Sequence, residues 1–106
     1  MAIEDDYRQF MVSRSASGSG TTESYVRAMN ITDEVLKLNG LFLQPRESVW
    51  EIRDESRLQR LLEFVKQEQR KSDGGIYRTV KTKSYWKKKF CSAAISRFID
   101  FVITLQ

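Results

Sequence analysis

The chain has 106 residues, enough for one compact domain, and its 41% hydrophobic and 11% aromatic content argues against disorder by composition. Its 18 Lys and Arg against 14 Asp and Glu give a net charge of +4, with no His and a single Cys, Cys91. One Cys cannot close an intramolecular disulfide, and the lack of His removes the usual general base and the commonest metal ligand.

The N-terminal residues Ile3 to Phe10 already contain Glu4, Asp5, Asp6 and Arg8, so no secretory signal is expected. Ile3, Tyr7, Phe10 and Met11 recur at helical spacing, with the three acids in the first turn complementing the helix dipole. Ser13 to Gly20 (SRSASGSG) breaks the pattern and reads as a flexible loop. Thr21 or Thr22 then caps a second helix carrying Tyr25, Val26, Met29, Thr32, Val35, Leu36 and Asn39, stopped by Asn39-Gly40.

Leu41-Phe42-Leu43 is an apolar connection closed by Gln44 and the only proline, Pro45. One helical turn around Ser48 to Arg53 buries Val49, Trp50 and Ile52. Asp54 caps a third helix with Leu58, Leu61, Leu62 and Val65 on one face, ending near Lys71. The acids between Glu47 and Glu63 are spaced as helix surface, i,i+4 partners for nearby arginines. Ser72-Asp73-Gly74-Gly75 forms a turn. Ile76 to Thr82 alternates and fits a short strand or an extended basic loop; the loop is favoured because no partner strand is visible. Ser84 caps a last helix running to about Thr104. Its final stretch, Phe98 to Leu105, contains Asp100 and is about one third of a bilayer span. The expectation is an all-α, single compact bundle of four or five helices, soluble and cytoplasmic.

Charge is unevenly spread along this plan. Between Ile76 and Arg97 lie seven basic residues and no acidic one: Arg78, Lys81, Lys83, Lys87, Lys88, Lys89 and Arg97. The remainder holds 11 basic against 14 acidic residues. On a helix from Tyr85 to Leu105, Phe90, Ala94, Phe98, Phe101, Val102 and Leu105 share a broad apolar face, with Cys91 and Ile95 at its edge. Tyr85, Lys88, Lys89, Ser92 and Ser96 line the other face, the chemistry of a DNA-facing helix: ammonium groups for phosphate, hydroxyls for phosphate or base edges, and a ring for stacking. Trp86 and Phe90 are assigned to the core, Tyr77 and Tyr85 to neither side. Cys91 reads as a packing residue.

Two of these segments, with a third between them, resemble a known family. Thr21, Ser24, Tyr25, Ala28 and Met29 follow the T-x-x-S-Y-x-x-A-L pattern of the second helix in SAM-like, core-binding-type domains, with Met29 in the leucine position. Tyr85 to Val102 (YWKKKFCSAAISRFIDFV) is similar to their final helix, and Val49 to Asp54 followed by Leu58 and Leu61 to their third element. Such domains stand at the N-terminus of tyrosine recombinases of the phage-integrase family, and similar ones precede nuclease modules in some bacterial restriction-type proteins.

The resemblance implies a helical bundle that clamps duplex DNA largely through its backbone, with Thr22, Ser24 and Arg27 near phosphate on the second helix and Lys87, Lys88, Lys89 and Ser92 on the last. Glu23 beside Ser24 and the long connection from Arg78 to Lys83 depart from the pattern. The recombinase catalytic set of Arg, His and Tyr belongs to a second domain, which here would lie beyond Gln106.

The functional expectation is a non-catalytic DNA-binding domain without metal or cofactor, serving a recombinase or restriction-type nuclease. Its candidate contacts are Thr22, Ser24, Arg27, Arg78, Lys81, Lys83, Tyr85, Lys87, Lys88, Lys89, Ser92, Ser96 and Arg97. Its partners are duplex DNA and a catalytic domain or protein partner, not a membrane. The alternative is an interaction module that docks an acidic protein surface on the same basic face.

Overall fold

A computed structural model describes residues 3–14, 19–81 and 90–105 (for 14 and 19–21, the backbone only). Among these residues the architecture is all-α, with four helices and no strand: α1 (Ile3–Arg14), α2 (Ser19–Asn39), α3 (Glu55–Arg70) and α4 (Phe90–Thr104). Short 3₁₀ turns occupy Val49–Glu51 and Gly75–Tyr77. Helix α4 packs against both α2 and α3, while α1 covers α2 and one flank of α4.

The core grows outward from Tyr7. Its ring meets Trp50, Phe98 and Phe101 edge-on, at centroid distances of 5.4, 5.8 and 5.9 Å. Its hydroxyl donates to the Ala94 carbonyl at 3.0 Å, so the polar tip of a fully buried side chain is satisfied. Burial pushes the phenol well above its ordinary pKa, which keeps it a neutral donor. Trp50 Nε1 donates to Asn30 Oδ1 at 2.8 Å, and Asn30 Nδ2 to Glu4 Oε1 at 3.0 Å, so one amide joins α1, α2 and the first 3₁₀ turn.

Asp54 and the Asn39-Gly40 stop follow the capping chemistry read from the sequence, and the turn at Ser48 adds a cap that was not read there. Asp54 accepts from the Ser56 N–H at 3.0 Å and starts α3. Ser48 and Glu51 form a reciprocal capping box around the turn holding Val49 and Trp50. At the end of α2, Gly40 sits at φ 62°, with Leu41 N–H bonded to Leu36 O and Gly40 N–H to Lys37 O, a Schellman closure.

Other expectations are corrected. Residues 13, 14, 19 and 20 are helical, not loop, and Ser13 donates back to Phe10 O at 2.8 Å as it continues α1. Only 15–18 of the expected loop lie outside the described residues. Thr22 lies inside α2 with its side chain buried, so it is not the cap. Ile76 and Tyr77 form neither strand nor extended loop: both are buried in the second 3₁₀ turn. The expected start of the last helix, from Ser84 to Lys89, lies outside the described residues. In α4, Cys91 and Ile95 are at the heart of the buried face, whereas Leu105 is half exposed. A helix flanked on both sides by α2 and α3 buries a wider arc than a one-sided helical face allows.

Glu47 is also not a helix-surface partner. Its carboxylate pairs with Arg57, ten residues away, and Arg57 Nη2 also donates to Phe42 O at 3.3 Å. The guanidinium lies over the Phe42 ring, 5.8 Å from its centroid. Phe42 and Arg46 both adopt left-handed backbone, at φ 68° and 66°. These tertiary contacts hold the strained 41–47 connection in place.

Two predictions follow from backbone and charge. A Cβ on Gly75 (φ 57°) would stand 2.6 Å from Glu68 Oε1 and 2.9 Å from Glu68 O, whereas one on Gly40 meets nothing within 4 Å. In urea unfolding, Gly40→Ala should lose about 1–2 kcal/mol from its left-handed backbone alone, and Gly75→Ala clearly more. Glu47 is held at about 2, below its ordinary 4.5, chiefly by its hydrogen bonds from Arg57 and then from the Gln44 N–H. Since the folded value is the lower one, the pair's contribution is present above pH about 4.5 and lost as pH falls toward 2. Glu47→Gln should therefore flatten the stability loss across that interval, read from unfolding curves at stepped pH.

Candidate functional site

The excess positive charge of the chain is confined to one short segment. Positions 82–89 hold four of the 18 basic residues and none of the 14 acidic ones, so the rest of the chain carries 14 of each. Both neighbours of that segment are seated on α2. Lys81 and Val80 lie beside Ile31, Glu34, Val35 and Leu38, and Phe90 meets the ring of Tyr25 at 6.0 Å.

Of the thirteen sequence-derived contacts, Lys83, Tyr85, Lys87, Lys88 and Lys89 lie outside the described residues. Arg27, Arg78, Lys81, Ser96 and Arg97 are exposed, and Ser24 is half-buried. Arg27 shares an outer stripe of α2 with Glu34 and Leu38 at i, i+7 and i+11. Arg78 donates to Gly75 O at 3.3 Å, leaving its charge uncompensated by that bond. Arg97 has Asp100 at 3.8 Å, a loose pair with both side chains more than half exposed.

Two contacts are corrected because their side chains face inward. Thr22 is 2% exposed and Ser92 8%. Ser92 Oγ accepts from Gln69 Nε2 at 2.6 Å, which gives its hydroxyl a structural partner inside the bundle. The face of α4 open to solvent instead carries Ser96, Arg97 and Asp100.

Next to the segment's two ends is a polar cluster that the periodicity argument missed. Thr32 Oγ1 and Tyr77 Oη are 2.9 Å apart with both residues fully buried. The Cys91 thiol is fully buried in the same region, and both hydroxyls offset part of the effect of that burial on its titration. Glu68 accepts from the Ile76 N–H at 3.1 Å and pairs with Lys71 at 2.6 Å. Its neighbour Gln69 holds Ser92, and Gln69 Oε1 has no partner among the described residues. Thr32, Glu68, Gln69 and Ser92 are four of the five buried polar or charged residues described. A signal was available: 68 and 69 continue the stripe of Leu58, Leu61, Leu62 and Val65 in phase, yet carry Glu and Gln.

Burial sets the chemistry of this cluster. It drives the Tyr77 phenol well above its usual range and the Cys91 thiol up to about 11, so both are protonated donors at neutral pH. A protonated, enclosed thiol is a poor nucleophile. No group of three or more His, Cys, Asp or Glu among the described residues is placed to hold a metal ion. No described helix is long and apolar enough to cross a membrane.

No known protein family, no curated protein and no solved structure matches the chain.

Cys91 offers a direct check on the cluster. Its reaction with a disulfide reagent at neutral pH should be at least about a hundredfold slower in the native protein than in denaturant, since access requires local opening. Equal rates would show that the thiol is not enclosed by Thr32 and Tyr77.

Proposed function

We propose that the chain is a non-catalytic DNA-binding domain that holds duplex DNA through its phosphates. The observation that carries this reading is the partition of charge: a balanced helical body and four lysines, without an acid, in the segment between Lys81 and Phe90. A duplex presents one negative charge about every 1.7 Å of its axis, so a dense cationic segment meets several phosphates at once and releases their counterions. Exposed Arg78, Lys81 and Arg97 stand in the chain on either side of it. The resemblance of the second and last helices to core-binding-type domains supports the same reading and extends it to service of a recombinase or restriction-type nuclease.

A second reading, docking of an acidic protein partner, is favoured by one specific feature. Between α2 and residues 79–81 runs a mainly apolar groove of about 340 Å³ lined by Ile31, Val35, Leu38 and Val80 together with Glu34 and Lys81, and Leu38 is 71% exposed. An apolar groove suits a protein segment better than a phosphate backbone.

Lys87, Lys88 and Lys89 together changed to Glu should abolish mobility-shift binding to a generic duplex while leaving the melting temperature near that of the wild type. The unchanged protein, neutralising about five or six phosphates, should lose affinity with a log–log salt slope near −5. A triple variant that still binds, or a wild-type slope near zero, would reject phosphate-driven binding.

A further inference from the structure

We propose that the groove between α2 and residues 79–81 is closed by a second copy of the chain, so that the protein pairs with itself about a two-fold axis. On α2 the groove is lined by Ile31, Glu34, Val35 and Leu38, at i, i+3, i+4 and i+7. That spacing is the seam one helix offers to another. The opposite wall is non-helical chain, Thr79 to Lys81. Leu38, 71% exposed, is the most exposed of the large apolar side chains described, and Ile31 and Val80 are half-buried along the same groove. A lone exposed Leu is ordinary, but one that lines an apolar groove is a knob with a hole beside it.

Charge selects the occupant. Glu34 and Lys81 line the groove together, both exposed, and neither has an ion-pair partner among the described residues. The neighbouring Lys37, in contrast, is satisfied by Asp33 at 2.9 Å. A uniformly acidic partner would be drawn to Lys81 and repelled by Glu34, and a basic one would meet the reverse. A surface with one charge of each sign is complementary to itself. Turned about a two-fold axis, each Glu34 is offered to the partner's Lys81 and each Leu38 to the partner's Ile31 and Val80, so every contact is made twice. The α2 seam is only about two turns, or roughly 11 Å, long, which is small beside the ~800 Å² per partner of a stable complex and places the dissociation constant in the micromolar range. The DNA reading is not needed for this pairing; a second copy takes the place of the acidic partner in the groove.

Sedimentation velocity from about 1 to 500 µM should show the wild type passing from monomer to dimer, with half association on the order of tens of micromolar. Leu38→Gln removes the apolar knob from both copies and should weaken dimerisation about tenfold or more. Val12→Gln, at an exposed site on α1 outside the groove, should leave it unchanged. Glu34→Lys and Lys81→Glu should each dimerise poorly alone, because both cross-contacts become like-charged. Mixed in equal amounts, they should associate about fivefold or more tightly than either by itself, since every contact then joins a lysine to a glutamate. Both variants retain a net positive charge, so overall charge opposes the mixed pair. All four substituted positions are exposed, and the melting temperatures should stay near that of the wild type.

A wild type that stays monomeric throughout overturns the pairing and leaves the groove to a different protein. A dimer that Leu38→Gln does not weaken overturns this face as the contact. A mixture no tighter than its components overturns the two-fold meeting of Glu34 with Lys81.

Discussion

The contact between the Thr32 and Tyr77 hydroxyls lies where α2, the second 3₁₀ turn and α4 converge, and the arrangement around it depends on that meeting point. Helix α4 is covered by α2 on one side and by α3 on the other. After Tyr77 the chain still touches the body, with Val80 packed against the core. With Tyr77, Cys91 and Thr32 all fully buried, the second 3₁₀ turn and the start of α4 both meet α2 in the interior. In a low-dielectric interior such bonds are strengthened, and an unpaired member would be heavily penalised, so the local geometry has little latitude.

Around this point the molecule separates two tasks. Tyr7, Trp50, Phe98 and Phe101 supply an aromatic core whose edge-on contacts bind α1, α4 and the first 3₁₀ turn. Ionic contacts, in contrast, balance the exterior locally: Arg8 with Glu4, Asp5 and Glu23; Lys37 with Asp33; Lys66 with Glu63. Exposed pairs of this kind contribute about 0–1 kcal/mol each and chiefly cancel charge. A neutralised body makes the lysines between positions 83 and 89 the dominant source of field, which is the basis of the proposed phosphate contacts.

Much of the architecture was legible from local rules. The acidic first turn of α1, Asp54 as a cap, the Ser48 to Glu51 turn and the Asn39-Gly40 stop are short-range devices. Each involves residues within a few positions of one another, so the sequence displays them directly. The apolar stripe of α3 was equally plain. The candidate site was less legible. Ser92 looked like part of an outward stripe because helical phase gives relative direction but not the number of neighbours, and α4 has neighbours on two sides. Thr22 looked like a cap because a Thr ahead of a periodic run usually is one, but the helix starts earlier, at Ser19, and buries it.

Composition and order along the chain suffice to establish an all-helical body with its excess charge concentrated in one stretch, since helix periodicity and net charge are properties of neighbouring residues. The pairing of Arg57 with Glu47, the inward turn of Tyr77 and the gathering of Thr32, Glu68, Gln69, Cys91 and Ser92 are not of that kind. The Glu68–Ile76 and Thr32–Tyr77 hydrogen bonds, for instance, join residues 8 and 45 positions apart, and whether a polar side chain is a surface group or a buried partner depends on what folds over it. Local pattern placed the helices; packing alone chose which polar groups would be enclosed.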